Sequence, residues 1–292
     1  MIKPSGLAFP GRRTVFMKFT VLGSGSTGNA ILIATERTRV LVDAGLSCRE
    51  VVKRLGAMGI DTADLDAVLI THEHSDHVGG LRNLLGKVGC RVYLSGPTRE
   101  AYYGYSGSSA NGNDEAAKRR DAMKDRSVEI ASNNEFRIGD IDFEPFTVLH
   151  DAVDNFGFLA MNRGIRLATL TDFGHITELM KSKLNGCDAI IIESNHSRDM
   201  LRACPVYSWS LKQRIASRHG HLSNEDLADW LQNDFDGTAR HIVLAHLSQK
   251  ANDRHLAHLT AETALRMRPP LFAAETKITL SDHRQPTEWI EF

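Results

Sequence analysis

The sequence predicts an α/β protein, and two kinds of observation carry that prediction. Short apolar runs end abruptly in polar, chemistry-bearing residues: Ala67–Ile70 before Thr71–His77, Asp188–Ile192 before Glu193, and Ile242–Ala245 before His246. Runs of that length, bounded by polar clusters, read as buried strands. Between them lie stretches with apolar residues at helical spacing, as at Val51, Val52, Leu55 and Met58, and again from Val78 to Leu85.

Composition narrows the class. A chain of 292 residues with 42% apolar and 24% charged residues can bury a substantial core as an ordinary globular protein. Its net charge of −1 excludes a strongly basic protein but leaves room for a local basic patch. The four cysteines are scattered and form no Cys-x-x-Cys pair, which excludes both a disulfide frame and a thiolate zinc site. They read as reduced thiols, and a cytoplasmic location is expected. No apolar run approaches the roughly 18 residues of a membrane-spanning helix.

In chain order, residues 1–16 lack periodicity and are expected to be a disordered extension, with 17–292 forming one domain. Met17 to Leu22 alternates as a strand. Gly23-Ser24-Gly25-Ser26-Thr27-Gly28 then matches a dinucleotide-binding fingerprint, with Asp43 placed 20 residues after Gly23. That reading needs a helix after the third glycine. Instead the chain continues with Ala30–Thr35, a polar turn, and Arg39–Asp43, which is a hairpin. The glycines are therefore read as a tight turn. A helix is expected from Ser47 to Gly59, the strand Ala67–Ile70 next, and a short strand over Arg91–Leu94 closed by Ser95-Gly96-Pro97. Residues 104–113 read as an excursion followed by an exposed helix. Two strands about Gly139, a hairpin over 156–171, and helices over 176–184, 224–231 and 251–267 complete the reading, with Thr276–Leu280 as a closing strand.

The chemistry concentrates in Thr71-His72-Glu73-His74-Ser75-Asp76-His77. Imidazole and carboxylate donors together suit a divalent ion such as zinc or manganese. Four donors so close together exceed what one ion takes from a short loop. Steric reach places His72 and His74 on one ion and Asp76 and His77 on a second. Residues 198–221 form a locally basic stretch that also carries Tyr207 and Trp209. Arg198, Arg202, Arg214 and Arg218 are candidate substrate-binding residues for a nucleic-acid end. An ordinary solvated helix face is the alternative.

His-x-His-x-Asp-His is the hallmark of the metallo-β-lactamase fold superfamily, and the sequence resembles it further. Gly23–Asn29, His150-Asp151, Thr171-Asp172, Glu193–His196, Gly220–Asn224 and His246-Leu247-Ser248 look like the YycJ-type branch, which is similar to ribonuclease Z and associated with 5′-exonuclease action on DNA. The resemblance implies an αββα sandwich: two mixed sheets with helices on the outer faces. It implies two divalent metal ions, Zn2+ or Mn2+. His150 would complete the ion held by His72 and His74, His246 the ion held by Asp76 and His77, and Asp172 would bridge the two. Asp43 would support the metal loop from behind, although a plain turn residue is the alternative. Asp76, Glu193 and His221 are the catalytic candidates. His221 would act as general acid oriented by Glu193, which could equally cap the following helix. The implied activity is phosphodiester hydrolysis at DNA ends by a hydroxide shared between the ions. The rivals are a small-molecule hydrolase of the same fold and a metal-binding module without turnover.

Overall fold

The structure is a computed structural model that describes residues 16–104, 112–268 and 275–292. Residues 1–15 of the expected extension, and 105–111 of the expected excursion, lie outside the described residues. Two mixed sheets of seven strands each face one another. The first contains β1 (Lys18–Gly23), β2 (Ala30–Ala34), β3 (Arg39–Val42), β4 (Ala67–Leu69), β5 (Arg91–Leu94) and β6 (Ser127–Glu129) in chain order. The second runs in order from β7 (Phe136–Ile138) through β8 (Ile141–Thr147), β9 (Phe156–Asn162), β10 (Ile165–Leu170), β11 (Ala189–Glu193) and β12 (His241–Ala245) to β13 (Lys277–Leu280). In both sheets the early strands pair antiparallel, and the pairing turns parallel at β3–β4 and at β10–β11.

Alternation within the strands builds the layers. Phe19, Val21, Ile31, Ile33, Val40 and Val42 point between the sheets, where they meet Phe143, Phe158, Ile191 and Val243. Their neighbours Leu22, Leu32, Leu41 and Val68 point outward, under helices α1 (Cys48–Ala57), α2 (Ser75–Val78), α3 (Leu81–Leu85), α4 (Gly96–Gly104) and α5 (Gly112–Met123). Both faces of a strand are thus apolar, as buried mixed sheets require. On the far side, α6 (Glu178–Leu184), α9 (Asn224–Asn233) and α10 (Arg254–Arg266) cover the second sheet through Met180, Leu227, Trp230 and Ala261. Helices α7 (Arg198–Ala203) and α8 (Trp209–Ile215) contribute nothing to that core. The result is the expected αββα sandwich. Among the described residues no helix is long and apolar enough to cross a membrane.

Several local expectations are corrected. The periodicity from Val78 to Leu85 predicts one helix, but Gly79-Gly80 divides it into α2 and α3. The backbone at Gly80 packs against the Leu46 carbonyl so closely that a Cβ would lie 1.9 Å from that oxygen. Ser95-Gly96-Pro97 does not merely close a strand. It starts α4, with Ser95 Oγ accepting from Thr98 N at 3.1 Å and proline in the first turn, where its missing N–H costs nothing. Thr276–Leu280 is not the last strand, because β14 (Ile290–Glu291) comes after it and pairs with β1. At Gly45 an added Cβ would sit 1.6 Å from the Asp76 carbonyl oxygen. Gly45→Ala is therefore expected to displace the histidine-rich loop and cost about 1–3 kcal/mol or more. A thermal melt indistinguishable from the parent's would refute that close packing.

Candidate metal centre

The centre forms where strands from both sheets end. Asp43 directly follows β3, Asp172 lies two residues past β10, and His246 directly follows β12. All three adopt left-handed backbone angles, with φ of 63°, 63° and 53°. That region costs an L-residue roughly 1–2 kcal/mol. It turns the chain sharply at the strand end, so each side chain folds back over the gap between the sheets. The loop from Thr71 to His74 leaves β4 into the same gap, and His74 is the residue before the first turn of α2.

Ligand atoms converge there in three sets, each within 4.8 Å, of which the last two share Asp172 and His246: His72, His74 and His150; Asp76, His77, Asp172 and His246; and Asp172, Glu193, His221 and His246. The first two bring together the residues that the loop spacing and the family resemblance would assign to two ions. Asp172 lies between them, with Oδ2 at 3.0 Å from His77 Nε2 and Oδ1 at 4.0 Å from His150 Nε2.

The hydrogen bonds behind the rings decide what the front offers. His77 Nδ1 donates to Asp43 Oδ2 at 2.7 Å, His246 Nδ1 to Glu193 Oε1 at 2.7 Å, and His150 Nδ1 to the Gly220 carbonyl at 3.2 Å. The Thr71 hydroxyl donates to Asp43 and accepts from His72 Nδ1 at 3.0 Å. With Nδ1 donating backwards in all four rings, each Nε2 is the atom turned to the gap. Buried His72 Nε2, His246 Nε2 and Asp172 Oδ2 have no hydrogen-bond partner. Ring nitrogens and carboxylate oxygens facing one another in a buried site need a cation between them, either a proton or a metal ion. The donor set therefore fits a divalent metal.

Charge points the same way. Burial opposes the charge on His77, yet Asp43, Asp172 and Asp76 outweigh it and raise its pKa well above the usual imidazole range. Burial likewise opposes charge on His246, and Asp172, Asp76 and Glu193 raise its pKa. Burial pushes Asp76 upward, but His77 and His246 hold it down to about 2. The carboxylates that would keep a proton on these Nε2 atoms favour a metal ion in its place, and such binding releases protons. His72 differs: burial, then the nearby His77, push its pKa well down, so it stays a neutral donor.

Glu193 reaches forward and does not cap the next helix, where Ser197 is the N-cap and has no side-chain cap bond. Its Oε1 accepts from His221 Nδ1 at 2.9 Å, and its Oε2 accepts from Phe173 N and Leu222 N at 3.0 and 3.2 Å. Burial opposes the charge on His221, but Glu193 and Asp172 raise its pKa above the usual value. Of the arginines, only Arg214 lines the cleft that holds the ligand sets, and it is paired there with Asp151. Arg198, Arg202 and Arg218 line a neighbouring cleft, with Arg198 tied to Asp226.

Three residues escaped the sequence reading. Asn29 accepts from Ser24 Oγ and Gly25 N, and its amide nitrogen lies 3.0 Å from His77 Nε2. Ser24 Oγ accepts from His246 N at 2.8 Å. Thr71 links His72 to Asp43. The polar residues inside the glycine-rich turn were the available signal for the first two. Replacing the buried Asp43 with Asn keeps the shape and removes the charge behind His77. Metal affinity is expected to fall about 10- to 100-fold. Calorimetric titration showing unchanged affinity would leave Asp43 as a turn residue only.

The profile of the beta-lactamase superfamily domain matches residues 38–247 of this chain. Over 243 residues the chain is 37% identical to a protein named exodeoxyribonuclease WalJ from Streptococcus pneumoniae, covering 83% of this chain and 86% of that one. It is 33% identical over 272 residues to one named exodeoxyribonuclease YycJ from Bacillus anthracis, covering 93% and 98%. Among solved structures, Zn(2+)-bound PqqB from Methylobacterium extorquens shares the fold with a TM-score of 0.68, covering 93% of this chain and 99% of that chain at 17% identity. The strand-end geometry and the full-length likeness agree: this chain belongs to the metallo-β-lactamase fold superfamily, in its YycJ-type branch.

Proposed function

We propose that the chain is a metal-dependent phosphodiesterase that degrades DNA from 5′ ends. The observation that supports this most is the pairing of His221 with buried Glu193 at the edge of the ligand sets, in a chain alike along most of its length to two proteins named exodeoxyribonucleases. His72, His74 and His150 would hold one ion, Asp76, His77 and His246 the other, and Asp172 would contact both. When bound, such ions supply Lewis-acid charge for the phosphoryl oxygens and acidify water towards neutrality. The imidazole-rich donor set suits Zn2+ or Mn2+.

The protein's own groups divide the remaining work. Glu193 fixes the ring of His221 and favours its protonated form, so His221 can deliver a proton to the leaving oxygen. The cleft is a compact cavity of about 260 Å3, sized for a phosphodiester and its flanking sugars. Tyr207 and Arg214 lie at its edge and would meet the strand.

The test is a panel of single- and double-stranded DNA and RNA, labelled at either end, with Zn2+ or Mn2+ added back to the metal-stripped protein. Stepwise loss from 5′ DNA ends is expected, with affinity falling steeply as salt rises because phosphate contacts release counterions. No degradation of any strand would sink the nuclease reading and favour a small-molecule hydrolase acting on thioesters, lactones or cyclic phosphodiesters.

A further inference from the structure

His221 belongs to two clefts at once. One is the cleft of the ligand sets; the other is a cavity of about 640 Å3 on its far side, walled by α7, α8 and the turn after Asp172. Cavities of that size take a ligand of small-molecule dimensions. Trp209 stands in its wall with 72% of its surface exposed, serving no core. Arg202, Lys212 and Arg218 line the same wall. Among the lining residues the one carboxylate, Asp226, is taken by Arg198. Lys212 Nζ donates to the Arg202 carbonyl, and Arg218 lies 2.8 Å from a ring nitrogen of His175, so neither contact is to a carboxylate. Among the described residues, the carboxylate paired with Arg202 is Asp199, itself 91% exposed, at 3.6 Å. An exchangeable surface pair of that kind contributes little. The cavity therefore joins an aromatic face to uncompensated positive charge. Buried His196 adds a ring whose Nδ1 has no partner. Burial pushes its pKa down to about 4, so it is a neutral polar group.

A flat apolar platform suits a nucleobase, and the surplus cations suit a phosphate. We propose that this cavity is the subsite for the terminal nucleotide of the strand, with its base on Trp209 and its 5′-phosphate on Arg202, Lys212 and Arg218. The proposal deepens the nuclease reading and rests on it. Its placement derives from His221. Hydrolysis adds the hydroxyl of water to phosphorus and breaks the P–O3′ bond. O3′ takes a proton from His221, and the proton released by water restores the imidazole. The leaving nucleotide must then lie on the His221 side of the metal cleft, where this cavity opens. A strand entering by its 5′ end places one nucleotide there, and a 5′-phosphate is preferred to a 5′-hydroxyl.

Two measurements on the full chain test this. Titration with deoxyadenosine 5′-monophosphate is expected to quench tryptophan fluorescence. In Trp209→Ala the affinity, followed by calorimetry, should fall roughly 10-fold or more. On strands, the parent should prefer a 5′-phosphate over a 5′-hydroxyl by about 10-fold, as a charge-assisted contact warrants. Arg202→Gln combined with Lys212→Met should erase that preference by raising KM for the phosphorylated strand. Circular dichroism confirms that both variants fold. Absence of nucleotide binding to the parent overturns the subsite whatever the nuclease panel shows. Digestion of both strands at one rate, with Trp209→Ala binding as the parent does, overturns the subsite while the nuclease reading stands. Nucleotide binding without any strand cleavage overturns the nuclease reading and, with it, the assignment to a strand terminus.

Discussion

Asp172→Ala is expected to strip the protein of bound metal and of activity together. The side chain is buried, with Oδ2 3.0 Å from His77 Nε2 and Oδ1 3.2 Å from His246 Nδ1. Burial pushes its pKa up, yet His246 and His77 hold it well below the usual carboxylate range, so it is ionised. Removing that charge takes away the carboxylate of the second ligand set that also reaches towards the first, with Oδ1 4.0 Å from His150 Nε2. Metal ions contribute several kcal/mol of transition-state stabilisation, so the rate should fall about a thousandfold or more. The Asp172 carbonyl still accepts from Asn155 Nδ2 at 2.9 Å, a backbone tie the substitution leaves alone. Because φ is positive there, Asp172→Asn is the control that tolerates the backbone and lacks the charge. Elemental analysis and turnover are read on both variants. Stoichiometric metal with an unchanged rate in either would remove Asp172 from the centre.

His221→Ala should behave differently: metals retained, turnover reduced by about 10²–10⁴-fold. A general acid must be protonated, so the parent's rate should decline as pH rises through the pKa of His221. Burial works against that pKa, but Glu193 and Asp172 raise it, which moves the decline to the alkaline side of the ordinary imidazole value. In the variant this limb should vanish. A p-nitrophenyl phosphodiester, whose leaving group needs no proton, should be cleaved nearly as well by the variant as by the parent. His221 also falls within the third ligand set, with Asp172, Glu193 and His246. Loss of metal in His221→Ala would therefore reassign it from acid to ligand.

Legibility in the sequence tracks the range of the forces involved. Strand and helix positions depend on local periodicity, so the β2–β3 hairpin, α1, β11 and β12 stand where the pattern puts them. The helix expected over 224–231 forms as α9, capped by Ser223, whose Oγ accepts from Asp226 N at 3.0 Å. Elements fixed by distant partners were not legible. Nothing near Ile290 says that it pairs with Phe19, and nothing in α3 says that Gly80 must pass beneath Leu46. Glu193 had two readings of nearly equal merit, one from the family resemblance and one as a helix cap. Only the approach of His221 and His246, both brought from other elements, selects one of them.

The amino-acid sequence by itself determined the class of the protein and pointed to its candidate donors. Alternating apolar strands can bury both faces only in a layered α/β arrangement, and a short histidine-aspartate loop has the chemistry of a divalent ion wherever it folds. Tertiary structure alone decided which nitrogen of each ring is turned to the gap, because that depends on partners such as Asp43, Glu193 and the Gly220 carbonyl, brought by separate segments. It also decided that three of the predicted substrate-binding arginines, with Trp209, share a cleft behind His221, since the lining comes from segments far apart in the chain, from Gly174 to Asp226.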